Sequence, residues 1–120
     1  MIVMITGSCE FKNGVMEEVR TDVYRELDEL RQTGPEMTLI SGGARGVDRI
    51  GEQWARERGV GLVVYKPDYK RHRRGAPLVR NKAMVEACDG VVAFWNGTSK
   101  ETKHVLEHAR RKLLGCSEYS

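Results

Sequence analysis

The sequence predicts an α/β protein built on a parallel sheet covered by helices on both faces. Three observations carry this expectation. Short, β-branched apolar runs alternate along the chain with longer stretches whose apolar residues recur every three or four positions. The runs are apolar throughout rather than at every second position, as in strands buried on both faces. Gly, Gly-Pro or Asn-Gly marks most of the boundaries.

Ile2 to Thr6 reads as the first strand, closed by Gly7-Ser8. Met16, Val19, Val23, Leu27 and Leu30 then stripe a helix that Gly34-Pro35 stops. Met37 to Ser41 is a second strand, ended by Gly42-Gly43. Val47, Ile50, Trp54 and Ala55 mark one face of a helix terminated at Gly59. Leu62 to Tyr65 is a third strand, and a basic loop follows it. Leu78 to Cys88 reads as helix, Val91 to Trp95 as the fourth strand, and Val105, Leu106, Ala109 and Leu113 stripe a last helix. The polar tail 115–120 offers no β-run and is expected to fray, which leaves one domain over 1–114.

Right-handed crossovers between such strands favour a minimal Rossmann-like three-layer sandwich of about four strands in the order 3-2-1-4. Strands one and four are then neighbours whose connections leave in opposite directions. The crevice at their carboxyl ends is the expected ligand site. Three glycine-containing turns reach that edge: Gly7-Ser8, Gly42-Gly43 and Asn96-Gly97-Thr98.

Composition narrows the class. Of 120 residues, 40% are apolar and 31% charged, values ordinary for a globular domain in water. No apolar run approaches the ~20 residues needed to cross a bilayer, and the apolar start lacks a basic leader, so the expected compartment is the cytoplasm. Cys9, Cys88 and Cys116 are widely spaced and form no C-x-x-C pair, so reduced thiols are expected, without a disulfide framework or a zinc site. His72, His104 and His108 form no metal constellation; neither a metal nor a cofactor is assigned. The net charge of +3 is unevenly spread: the segment from Lys66 to Lys82 carries +6, and the rest of the chain carries −3. A basic loop on an otherwise acidic domain points to an anionic ligand, against the plainer reading of a solvated loop.

The densest candidate segment is Ser41-Gly42-Gly43-Ala44-Arg45-Gly46-Val47-Asp48. Three glycines just before a helix destabilise the chain unless the backbone needs unusual angles or close approach to a ligand. Arg45 offers a planar fork to phosphate. Asp48 either accepts from a ribose hydroxyl or serves the start of the helix. The pattern is not G-x-G-x-x-G, which argues against a dinucleotide-dependent dehydrogenase. A second segment, Arg80-Asn81-Lys82, precedes Gly97-Thr98-Ser99-Lys100-Glu101 by one helix and one strand. Thr98 and Glu101 have capping-box spacing, and the same loop suits phosphate. Trp95 and Tyr69 lie where a base could stack, or where an aromatic side chain simply packs.

The order Thr-Leu-Ile-Ser-Gly-Gly-Ala-Arg-Gly-Val-Asp, Lys-Pro-Asp-Tyr, Arg-Asn-Lys-Ala-Met, Asn-Gly-Thr-Ser-Lys-Glu resembles the SLOG superfamily of Rossmann-like domains, and within it the YspA-like branch. The resemblance runs from Ile2 to about Arg111. It implies binding of nucleotides, ADP-ribose derivatives or related sugar phosphates, in some members as sensors of nucleotide signals. More distantly the sequence is similar to Lonely Guy-type phosphoribohydrolases, which implies catalytic roles for Arg80 and Glu101, with Gly97 and Thr98 holding phosphate. Two departures weaken the enzyme reading: Phe94-Trp95-Asn96 replaces the Pro-Gly-Gly lead of that loop, and no fifth strand is evident after the last helix.

The leading expectation is therefore a stand-alone module that senses or sequesters a phosphate-bearing nucleotide, ADP-ribose-like or a cyclic nucleotide signal. Its expected ligand-binding residues are Gly7, Ser8, Gly42, Gly43, Arg45, Gly46, Asp48, Arg80, Asn81, Gly97, Thr98 and Ser99. The rivals are N-glycosidic hydrolysis of nucleoside monophosphates and single-stranded nucleic-acid binding through the basic segment. Pairing into a homodimer or higher homo-oligomer is expected from the resemblance, and no membrane partner is expected.

Overall fold

The computed structural model describes residues 1–8, 16–33, 36–95, 100–111 and 115–119. The described residues form, in chain order, β1 (Ile2–Gly7), α1 (Met16–Thr33), β2 (Thr38–Ser41), α2 (Val47–Arg58), β3 (Gly61–Val64), α3 (Tyr69–His72), α4 (Ala76–Ala87), β4 (Gly90–Phe94), α5 (Lys100–Arg111) and β5 (Gly115–Tyr119). A 3₁₀ turn, Arg73–Gly75, joins α3 to α4. The sheet runs β3-β2-β1-β4-β5, and each neighbouring pair is parallel. The expected order 3-2-1-4 is present, extended by one strand.

That extension corrects the reading of the tail as frayed. Residues Gly115 to Tyr119 pair with Gly90 to Phe94 in parallel register. An edge strand needs backbone groups facing a neighbour, and β4 leaves one row of such groups for it; an apolar run is not required. The basic loop also holds more structure than expected, because Asp68 accepts from the Arg71 N–H at 3.2 Å and starts the single turn of α3.

Alternation along the central strands divides the interior into two layers. Val3 and Ile5 of β1 join Leu39, Val92 and Phe94 on one face, against Val23 and Leu27 of α1 and Val47, Ile50 and Trp54 of α2. Met4 joins Ile40, Val91 and Ala93 on the other, against Met84 and Val85 of α4 and Val105, Leu106 and Ala109 of α5. Strands apolar on both sides are thus explained by helices on both sides. At the β3 edge the cover thins, and Val63 is 48% exposed. No described helix is long and apolar enough to cross a membrane. Because the sheet is parallel, β1, β2, β3 and β4 all end at the same edge.

Candidate functional site

The loop after β2 uses glycine for two different reasons. Gly43 has φ +73° and Gly46 φ +83°, a region where a Cβ is strained. Gly42 has a different reason: a methyl group there would lie 2.8 Å from Cζ of Arg80, so the guanidinium lies directly against the loop backbone. Gly7 is governed by packing, since a Cβ would come within 2.6 Å of the Phe94 carbonyl and of Val47. Its role is to let α2 and β4 close on the end of β1, where the Ser8 N–H donates to the Phe94 carbonyl at 3.0 Å. The Ser8 side chain is buried.

Below the loop lies a polar network. Ser41 Oγ donates to Glu52 Oε2 at 2.7 Å and accepts from the Gly43 N–H at 3.2 Å. Asp48 Oδ2 accepts from the Ala44 N–H at 3.2 Å. Ser41, Asp48 and Glu52 are all buried. Burial pushes the Asp48 carboxyl up to about 7; the Ala44 N–H and Arg80 oppose the rise, and Glu52 adds to it. Asp48 therefore neither caps α2 from outside nor projects freely. It sits in the first turn of α2 and holds the preceding loop, while the N-cap position is Gly46, without a side-chain cap.

Arg80 reaches this loop from α4. Its Nη1 donates to the Gly42 carbonyl at 2.6 Å and to the Tyr65 carbonyl at 3.5 Å, and its Nε donates to Asn81 Oδ1 at 2.7 Å. It thereby ties the end of β2 to the end of β3. Nη2 forms no hydrogen bond among the described residues. Arg80 is buried, whereas Lys66, Lys70, Arg71, Arg73, Arg74 and Lys82 of the basic segment are exposed. Arg73 adopts φ +54°, a strained angle for a residue with a side chain.

These elements bound a cleft of about 270 Å³ lined by Gly42, Gly43, Ala44, Pro67, Tyr69, Pro77 and Arg80. The first turn of α4 forms one wall, and its N-cap, Gly75, makes no side-chain cap hydrogen bond. The cleft lies over the ends of β2 and β3, beside the β1–β4 crevice that the topology singles out. Tyr69 is 60% exposed at this cleft, whereas Trp95 packs against the apolar layer of Met4 and Met84. Arg45 is exposed on the loop. Gly97, Thr98 and Ser99 lie outside the described residues, as does the side chain of Glu101.

Sequence reasoning missed Glu52 and gave Ser41, the first residue of the candidate segment, no role of its own. Their signal was available: Asp48 and Glu52 are one helical turn apart and fall on the same side of α2 as Gly51 and Ala55, so two carboxylates occupy a buried face. Carboxylates in such positions must be held by hydrogen bonds, and the nearest hydroxyl in the chain is Ser41.

A parallel sheet in this strand order, with a glycine loop and buried polar groups at its carboxyl edge, defines a Rossmann-like module. The chain matches the family model described as YAcAr (YspA, cpYpsA-related SLOG family) over residues 1–72, which include the whole loop from Ser41 to Asp48. It is 34% identical over 116 residues to the Gene 61 protein of Mycobacterium phage D29, a match covering 91% of this chain and 88% of that protein. The chain belongs to the YspA, cpYpsA-related SLOG family.

Proposed function

We propose that the protein binds a phosphate-bearing nucleotide or nucleotide-derived ligand, with the phosphate held in the cleft between the Gly42–Gly46 loop and the first turn of α4. The observation that carries this reading is the placement of the buried Arg80 guanidinium against the glycine loop that leads into α2. α2 starts without a side-chain cap, so its first N–H groups and positive dipole end are open to an anion. The start of α4 contributes its dipole but few donors, because Pro77 has no N–H and the Ala76 N–H donates to the Arg73 carbonyl. Arg80 adds a buried guanidinium with Nη2 donors still open among the described residues, and charge-assisted bonds to phosphate are strong in so sheltered a place. The exposed ring of Tyr69 at the same cleft suits a base.

Binding, rather than turnover, is favoured by how the side chains are engaged. Asp48 and Arg80 both hold loop backbone. Family membership supports a nucleotide-related role, and an ADP-ribose derivative or a cyclic nucleotide fits the same chemistry. The test is a thermal-shift panel of nucleoside monophosphates, ADP-ribose and cyclic dinucleotides. A ligand at ~100 times its Kd stabilises the fold by about 2.7 kcal/mol, which raises Tm of a domain this size by roughly 10 °C. A panel without any shift would overturn the proposal.

A further inference from the structure

Gly43 lines a second cleft, on the outer side of the loop. This cleft measures about 560 Å³ and runs along the flank of α2 and β3, lined by Gly43, Arg49, Glu52, Arg56, Val64 and Lys66. Its three cations are exposed, and its one carboxylate is already engaged: Glu52 accepts from Ser41 and lies 3.8 Å from Arg56.

Two of the cations have no evident structural role. Arg49 stands in the first turn of α2, where the helix dipole favours an acid and disfavours a base. Arg49 and Lys66 form no ion pair among the described residues. By contrast, the cations near the other end of α2, Arg56 and Arg58, sit where the dipole favours them and have carboxylate partners. Cations gathered around a concave surface without partners repel one another and create a local attraction for anions. Gly43 belongs to both linings, so a ligand bound against Arg80 can continue past it to Arg49 and Lys66.

We propose that the α2–β3 flank is a second anion subsite, and that the ligand class is a nucleotide bearing two separated phosphates, a dinucleotide rather than a mononucleotide. This inference rests on the phosphate cleft proposed above. Arg49 and Lys66 hold the distal phosphate, Arg80 and the glycine loop the proximal one.

The experiment compares AMP with the linear 5′-phosphorylated dinucleotide pApA, and GMP with pGpG, by titration calorimetry. Each is run on wild type and on the double variant Arg49→Gln/Lys66→Gln. Both positions are exposed, so the variant should melt within about 2 °C of wild type. Wild type is expected to bind the dinucleotide at least ~10-fold more tightly than the mononucleotide. The double variant should lose most of that advantage and leave mononucleotide affinity within about twofold. Its dinucleotide affinity should also depend less steeply on salt, by roughly one to two phosphate contacts. Equal affinity of wild type for both members of a pair overturns the second subsite alone, and so does a variant that weakens both equally. Failure of all four nucleotides to bind wild type, together with a thermal-shift panel that shows no shift, overturns the phosphate cleft itself.

Discussion

Asp28 and Asp48 are the same residue type in opposite situations, and the two regions around them divide the labour of the molecule. Asp28, on the α1–α2 flank, accepts from Trp54 Nε1 at 2.8 Å and from Arg58 Nε and Nη2 at 3.0 and 3.2 Å. The Arg58 bonds hold its carboxyl below the ordinary aspartate range. Arg58 also lies 5.4 Å over the Tyr24 ring, whose hydroxyl donates to Glu57 at 2.8 Å. Asp48, under the glycine loop, is raised to about 7 by burial and surrounded by positive-φ backbone. One flank satisfies its polar groups and stabilises the fold. The other holds a carboxyl and a backbone that the folded state disfavours. Local destabilisation of this kind collects at binding sites, where ligand contacts offset it.

The largest expected effect breaks the stabilising side. Trp54 is fully buried and joins α2 to both the sheet and Asp28. Trp54→Ala should cost about 3–5 kcal/mol by the usual scale for large core truncations, measured by urea unfolding. Nucleotide affinity of the fraction that remains folded should be unchanged, because no atom of Trp54 lines either cleft.

A smaller effect, with a telling pH dependence, separates the two aspartates. The folded Asp48 carboxyl keeps its proton up to about 7, whereas an unfolded one loses it near 4. Between those values the folded state binds more protons, so stability falls as pH rises and the full penalty is present above about 7. Asp48→Asn keeps an oxygen for the Ala44 N–H and removes the ionisation. It should therefore be neutral near pH 4 and stabilising by on the order of 2–4 kcal/mol near pH 8. Asp28 has the opposite sign: its contribution is present above the unfolded pKa and lost as pH falls through its lower folded value. Asp28→Asn should thus destabilise at neutral pH, by about 1 kcal/mol since the site is partly exposed. Melting curves from pH 4 to 8 check the Asp48 prediction, and an extension below pH 4 checks the loss of the Asp28 contribution. An Asp48→Asn variant whose stability tracks wild type across that range would show that the carboxyl is not disfavoured.

Much of the fold was legible because the central strands declare themselves. β1, β2 and β4 are apolar on both faces, and the helices covering them carry apolar residues at helical spacing. β5 was not legible, because its pairing with β4 draws on backbone groups that no side-chain pattern of Gly115-Cys116-Ser117-Glu118-Tyr119 reveals. At the site, the glycine loop was visible in the sequence, since repeated glycine before a helix implies unusual backbone angles, and Gly43 and Gly46 have them. The function of Arg80 as a brace was not visible. It depends on carbonyls 38 and 15 residues away in sequence, and only the folded topology brings them together. Asp48 was recognised as a candidate, but its raised carboxyl depends on the depth of burial, which spacing alone does not measure.

The central claim is that Arg80 and the loop it braces hold a phosphate. Titration calorimetry tests it most directly, using the nucleotide that gives the largest thermal shift, on wild type and Arg80→Ala, with far-UV circular dichroism showing that both are folded. Loss of a charge-assisted contact of about 1.5–3 kcal/mol should weaken binding by roughly 10- to 150-fold. An Arg80→Ala protein that binds the same nucleotide with wild-type affinity would contradict the claim and place the ligand elsewhere.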